Sequence, residues 1–222
     1  MQHFTLAIDG PAGAGKSSVA KELAKALGAI YLDTGAMYRS VGLYMVRNGI
    51  PVRDMEAVAA HADEAVIDVG YVDGKQRVYL CGEDVSDLIR TPEVSDAASA
   101  VSAVPYVRVL LVARQQEIAR AQSVVMDGRD IGTKVLPDAN LKIFLTASAE
   151  ERALRRYREM GGKEAGVDYD KLLAEINQRD WDDSHRAASP LCRADDAIEV
   201  DSSFMTKEEV IAYILKLAYE RM

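Results

Sequence analysis

Gly10-Pro11-Ala12-Gly13-Ala14-Gly15-Lys16-Ser17 stands between a short apolar run, Phe4 to Ile8, and a segment from Lys16 to Leu27 whose Val19, Leu23, Ala26 and Leu27 share one helical face. A strand, a glycine-rich turn and a helix in that order form a cradle for phosphate, the P-loop. Glycine lets the backbone wrap so that successive N–H groups point inward at phosphate oxygens, and the helix beginning at Lys16 adds the positive end of its dipole. The Lys16 ammonium is expected to reach the β- and γ-phosphates of a nucleotide, and the Ser17 hydroxyl to ligate Mg²⁺. The expected ATP contacts are Gly10, Pro11, Ala12, Gly13, Ala14, Gly15, Lys16, Ser17 and the adjoining Ser18.

Outward from the cradle, strand and helix signals alternate. Ala29 to Leu32 is a second buried strand, a helix follows from about Ala36 to Asn48, and Asp54 is placed to cap another. The pattern changes at Val66. Two β-rich runs flank Asp73-Gly74, a strong hairpin signal, so the region of about 63–90 is expected to be an antiparallel insertion. Thr91-Pro92 opens a helix, and a further helix spans roughly Tyr106 to Ala121. Ser123 to Met126, Leu141 to Leu145 and Ala197 to Val200 are the remaining strands. Ser148 and Thr206 each begin an expected capping box, and a long helix runs from about Tyr169 to His185. This alternation implies an α/β three-layer fold. A central parallel sheet is covered on both faces, with ligands at the C-terminal ends of its strands.

With 222 residues and no repeats or linkers, residues 1–222 are expected to form one unit. The net charge of −8 argues against a broad nucleic-acid surface, and no nucleic-acid partner is expected. No apolar run has the length of a transmembrane helix, and Met1 to Phe4 has no signal-peptide character, so no membrane partner is expected. Two widely separated cysteines, Cys81 and Cys192, suit a reducing, cytoplasmic setting better than a disulfide or metal framework. A monomer is expected.

Within this acidic chain the arginines are clustered. Arg152, Arg155, Arg156 and Arg158 precede Gly161-Gly162, an arrangement suited to a mobile flap over the phosphates of ATP. Asp127 ends an apolar run, Val124-Val125-Met126, and is a candidate for the metal shell through water; Asp9 is a second. Gly128-Arg129-Asp130 brings a cation and a carboxylate to the end of the same strand, and Arg39 and Arg108 could complete a clamp on a second phosphorylated substrate.

The chain resembles the bacterial cytidylate kinases, which phosphorylate CMP and dCMP. The resemblance is carried by Ile8-Asp9-Gly10-Pro11 through Lys16, Leu32-Asp33-Thr34-Gly35-Ala36-Met37-Tyr38-Arg39 and Arg90-Thr91-Pro92-Glu93-Val94. It continues through Asp127-Gly128-Arg129-Asp130-Ile131-Gly132-Thr133, Arg179-Asp180 and Asp183-Ser184, to Arg186 and Ser189-Pro190-Leu191. It implies a P-loop kinase with a helical lid at about 150–165 and a monophosphate-binding region at about 35–105 that contains the β insertion. It also implies that Arg39, Arg108 and Arg129 meet the acceptor's phosphate, Ser99, Arg108 and Asp130 the cytosine, and Arg179 and Asp183 the sugar. Arg186 and Thr34 stand close by. A carboxylate such as Asp130 suits the N4 amino donor of cytosine.

The expected reaction is in-line transfer of the ATP γ-phosphoryl group to CMP or dCMP, with Mg²⁺ and no covalent intermediate. Lys16, Arg129, Arg155 and Arg156 are the expected catalytic residues, acting by position and charge. Rival readings are a kinase for another small acceptor (uridylate, adenylate or shikimate) and a nucleotide-dependent switch that turns ATP over slowly, whatever monophosphate is present.

Overall fold

The innermost strands are apolar through their middles, where both faces are buried, and end in acidic residues at Asp9 and Asp127. In the computed structural model, which describes residues 3–222, Met1 and Gln2 of the N-terminus considered above lie outside the described residues. The chain runs β1 (Thr5–Asp9), α1 (Lys16–Leu27), β2 (Ile30–Asp33), α2 (Thr34–Arg47), α3 (Met55–His61), β3 (Ile67–Val72), β4 (Lys75–Leu80), β5 (Glu83–Asp84) and α4 (Pro92–Val101). It continues α5 (Pro105–Ala121), β6 (Val124–Gly128), β7 (Leu141–Thr146), α6 (Ala149–Glu159), α7 (Tyr169–His185), β8 (Ile198–Asp201) and α8 (Lys207–Tyr219). Five parallel strands are ordered β2-β6-β1-β7-β8, and β3-β4-β5 form a separate antiparallel sheet.

Alternation along each strand divides the core into two layers. Ala7 of β1 and Val124 and Met126 of β6 pack with α2, α4, α5 and the insertion; Leu6, Ile8 and Val125 pack with α1 and α8. The result is the expected three-layer α/β fold. A smaller cluster of Ala153, Leu172 and Ile176 joins α6 to α7.

The local signals resolve with three differences. Asp54 caps α3, Thr91 caps α4 with Pro92 just inside, and Asp73 and Gly74 both adopt positive φ, as a tight hairpin turn requires. Thr206 and Glu209 form a full capping box. At Ser148 only half of the expected box forms. The hydroxyl accepts from Glu151 N, while the Glu151 carboxylate turns outward to Arg155 Nε at 3.0 Å, a stronger charged partner than a backbone amide. The helix expected from Ala36 begins two residues earlier, capped by Asp33. A short helical turn over Ile131–Val135 follows β6 and has no periodic signal in the sequence.

Candidate active site

The C-terminal ends of β1, β2 and β6 open into one cavity of about 920 Å³, lined by the cradle, the start of α2, α4, the turn after β6, α6 and α7. The cradle's shape depends on close approach. Gly10 lies so near β7 that a Cβ there would sit 1.9 Å from the Leu145 carbonyl oxygen, and Gly15 starts α1 from a left-handed conformation. Lys16 is buried, and its ammonium donates to Pro11 O at 2.7 Å. Burial first, and Arg129 second, bring its pKa down to about 7. Ser18 donates back to Gly15 O at 2.8 Å.

Behind Lys16 lies a buried carboxylate. Asp127 accepts from Ser17 Oγ at 2.7 Å on one oxygen and from Tyr31 Oη at 2.8 Å on the other. Burial, then the charge of Asp33, raise the pKa of Asp127. Thr34 Oγ1 donates to the Asp127 backbone carbonyl at 2.7 Å, which joins the first turn of α2 to β6. The other metal candidate, Asp9, is differently employed. Its two oxygens accept from Ile131 N at 2.8 Å and Gly132 N at 2.7 Å, so it anchors the turn after β6 to the strand that precedes the cradle.

That turn presents Arg129 and Asp130. Asp130 and Arg108 are buried together as an ion pair; Arg108 also donates to Ser102 O at 3.1 Å and lies over the Tyr38 ring. Burial pushes the Tyr38 phenol up to about 12. Arg129 donates to Asp183 at 2.7 Å. Burial works to raise Asp183, but Arg129, Arg179 and Arg186 outweigh it and hold its pKa below the ordinary carboxylate range. Arg186 donates to Ser189 O at 2.7 Å and approaches Ser102 Oγ at 3.3 Å, while Ser99 lines the same wall. Arg39 pairs with Asp33 at 2.8 Å. The Nε atoms of Arg39 and Arg179 are buried without a partner among the described residues, and both side chains line the cavity. Unpaired buried donors of this kind are fitted to an anionic ligand.

The four arginines of α6 separate into two groups. Arg152 is buried and donates to Ala12 O at 2.9 Å, Ala147 O at 3.0 Å and Asp180. Arg155 donates to Ser202 O at 2.6 Å as well as to Glu151. Arg156 and Arg158 are exposed, line the cavity and make no ion pair among the described residues. The structure thus places most of the expected site residues along one cleft, with Asp9, Gly10 and Pro11 outside its lining, and Arg152, Arg155 and Ser18 spend their donors on protein groups. Asp33, Tyr31, Asp180, Ser102 and Ser202 are additional participants. Of these, Asp33 and Asp180 lie in stretches that carry the resemblance, and Asp33 is in addition an acidic residue at a strand's C-terminal end like Asp127.

Comparison with known proteins places the chain in a family. The family model described as cytidylate kinase matches residues 6–220. The chain is 52% identical to the cytidylate kinase of Caldicellulosiruptor bescii over 99% of this chain and 97% of that protein. It is also 52% identical to the cytidylate kinase of Mycobacterium leprae, over 100% and 98%. Among solved structures, a gluconokinase from Sinorhizobium meliloti superposes with a TM-score of 0.52 at 16% identity, covering 99% of this chain and 93% of that one, a likeness of fold alone.

Proposed function

This chain belongs to the cytidylate kinase family, and on that premise we propose how its cleft moves the γ-phosphoryl group of ATP to CMP or dCMP. It is an ATP-dependent phosphotransferase, yielding CDP or dCDP and ADP. The cradle N–H groups take the donor phosphates, and Lys16 exchanges Pro11 O for phosphate oxygens. Mg²⁺ fits the all-oxygen environment of Ser17 Oγ, with Asp127 behind it through water. No group of three His, Cys, Asp or Glu is gathered among the described residues, so phosphate and water would complete the ion's shell. When bound, the ion neutralises charge on the transferring group.

On the acceptor side, Arg39, Arg108 and Arg129 take the phosphate, Ser99, Arg108 and Asp130 the cytosine, and Thr34, Arg179, Asp183 and Arg186 surround the sugar. The observation that carries this assignment is the buried Arg108–Asp130 pair at the end of β6. A carboxylate beside a guanidinium offers an acceptor to the N4 amino group and donors to the ring acceptors of one base. The acceptor phosphate is already an anion at neutral pH, so the nucleophile needs no strong base. Catalysis rests on alignment and on charge supplied by Lys16, Arg129 and the lid, residues 150–165. Within the lid Arg156 and Arg158 have donors uncommitted to ion pairs, whereas Arg155 reaches the phosphates only by leaving Ser202.

Two exposed free cysteines support a reducing, cytoplasmic setting. Steady-state rates with ATP against CMP, dCMP, UMP and AMP test the assignment. CMP and dCMP are expected to lead; equal rates on all four, or ATP turnover indifferent to the acceptor, would overturn it.

A further inference from the structure

The inserted antiparallel sheet contributes no residue from β3, β4 or β5 to the cavity lining, yet it is joined to the main sheet at a point directly behind the acceptor site. Strand β2 is an edge strand, hydrogen-bonded to β6 on one side only. The outward backbone groups of an edge strand need partners. Here two side chains of the hairpin supply them in place of another strand. Tyr71 Oη donates to Tyr31 O at 3.0 Å, Gln76 Oε1 accepts from Asp33 N at 2.7 Å, and Gln76 Nε2 lies 3.4 Å from Asp33 O. Tyr71 and Gln76 are opposite one another in the β3–β4 register, so they project together, and they meet β2 two residues apart. Gln76 suits its place because a primary amide is the side-chain counterpart of a peptide group, with one acceptor and one donor face.

The two residues they hold are the ones whose own side chains grip the cleft. Tyr31 donates to Asp127, and Asp33 both caps α2 through Ala36 N at 2.9 Å and holds Arg39 at 2.8 Å. We infer that Gln76 is a positioning residue for the acceptor. By completing the open edge of β2 at Asp33, it holds the carboxylate that aims Arg39, and through it the insertion sets the affinity for the monophosphate. A purely architectural insertion would need only the apolar contacts of Val78 and Leu80 with the core. The paired amide contact adds a directional constraint that those cannot supply.

The inference rests on the reading of Arg39 as a ligand of the acceptor phosphate, and the test separates the two. Q76A, R39A and the double variant of the full chain are compared by KM for CMP at saturating ATP, KM for ATP at saturating CMP, and thermal melting. Q76A is expected to raise KM for CMP about fivefold, the size of effect that follows from losing one ordering hydrogen bond, while KM for ATP stays unchanged. In the R39A background the same substitution is expected to have almost no further effect, because Gln76 acts through that arginine. The inference is overturned if Q76A moves both KM values equally, lowers the melting temperature without changing KM for CMP, or keeps its full effect in the R39A background. If R39A itself leaves KM for CMP unaltered, the reading of Arg39 fails first and the inference fails with it.

Discussion

Arg152, buried on α6, pairs with half-buried Asp180 on α7, and the same guanidinium donates to Ala12 O at 2.9 Å, so one side chain ties the α6–α7 hairpin to the phosphate cradle. One turn further along α6, Arg156 lines the cavity and makes no ion pair among the described residues. These neighbours therefore divide anchorage from charge stabilisation.

Their variants should differ in kind. R156A is expected to lower kcat by about a hundredfold, as removal of a donor to transition-state charge does, with an unchanged melting temperature. R152A removes a buried guanidinium and its hydrogen bonds to Ala12 O, Ala147 O and Asp180, and is expected to cost about 2 kcal/mol of stability, read as a lower denaturation midpoint. Equal losses of stability in the two variants would contradict the division.

Asp130→Asn replaces a charged acceptor beside Arg108 with an amide. Its kcat/KM for CMP is expected to fall by about a hundredfold while that for UMP falls much less, because the loss falls on recognition of the N4 amino group. The check is the CMP to UMP ratio measured with purified variant, alongside its melting curve, since Arg108 loses a buried counterion. A parallel loss on both acceptors would remove Asp130 from base recognition.

Asp183 should contribute to acid sensitivity. Its folded pKa is held below the ordinary value of 3.8: burial opposes this, but Arg129, Arg179 and Arg186 prevail. A depressed carboxylate adds stability that is complete above its unfolded pKa and disappears as pH falls through the folded one. Melting temperature followed from neutral pH down through about 3 is therefore expected to decline more steeply in the parent than in D183N.

Gly10→Ala tests the cradle. Its Cβ would lie 1.9 Å from a backbone oxygen of β7, and a strand buried on both faces cannot move aside. A loss of about 3 kcal/mol is expected, at the upper end for overpacking, together with loss of ATP binding by calorimetry. Normal binding with normal stability would show that β1 and β7 separate more easily than their ladder suggests.

Much of this was legible beforehand because it is local. Apolar runs bounded by glycine, the Asp73-Gly74 turn, and Thr91 and Thr206 as caps depend on residues a few positions apart. Where two local partners competed the outcome was not legible. Glu151 leaves the Ser148 box for Arg155, whose own position depends on Ser202, far along the chain. Asp9 shows the same limit. Its place before the cradle made it a candidate for the metal shell through water, and nothing local foretold that its oxygens also accept from amides of a turn more than a hundred residues away.

By itself, then, the sequence determined that a phosphate cradle stands at residues 10–17, that the sheet is parallel and buried on both faces, and which arginines and carboxylates are available to a cleft. Those properties follow from periodicity, glycine placement and residue chemistry, which act over one or two turns of chain. The tertiary structure alone decided how each charge is spent. Arg152 became an anchor, Arg156 and Arg158 remained outside ion pairs among the described residues, Asp127 was placed behind Ser17, and Gln76 was brought to the open edge of β2. Such choices depend on strand order and on which groups meet in the low-dielectric interior, where each buried donor or charge must find its partner from wherever the fold supplies one.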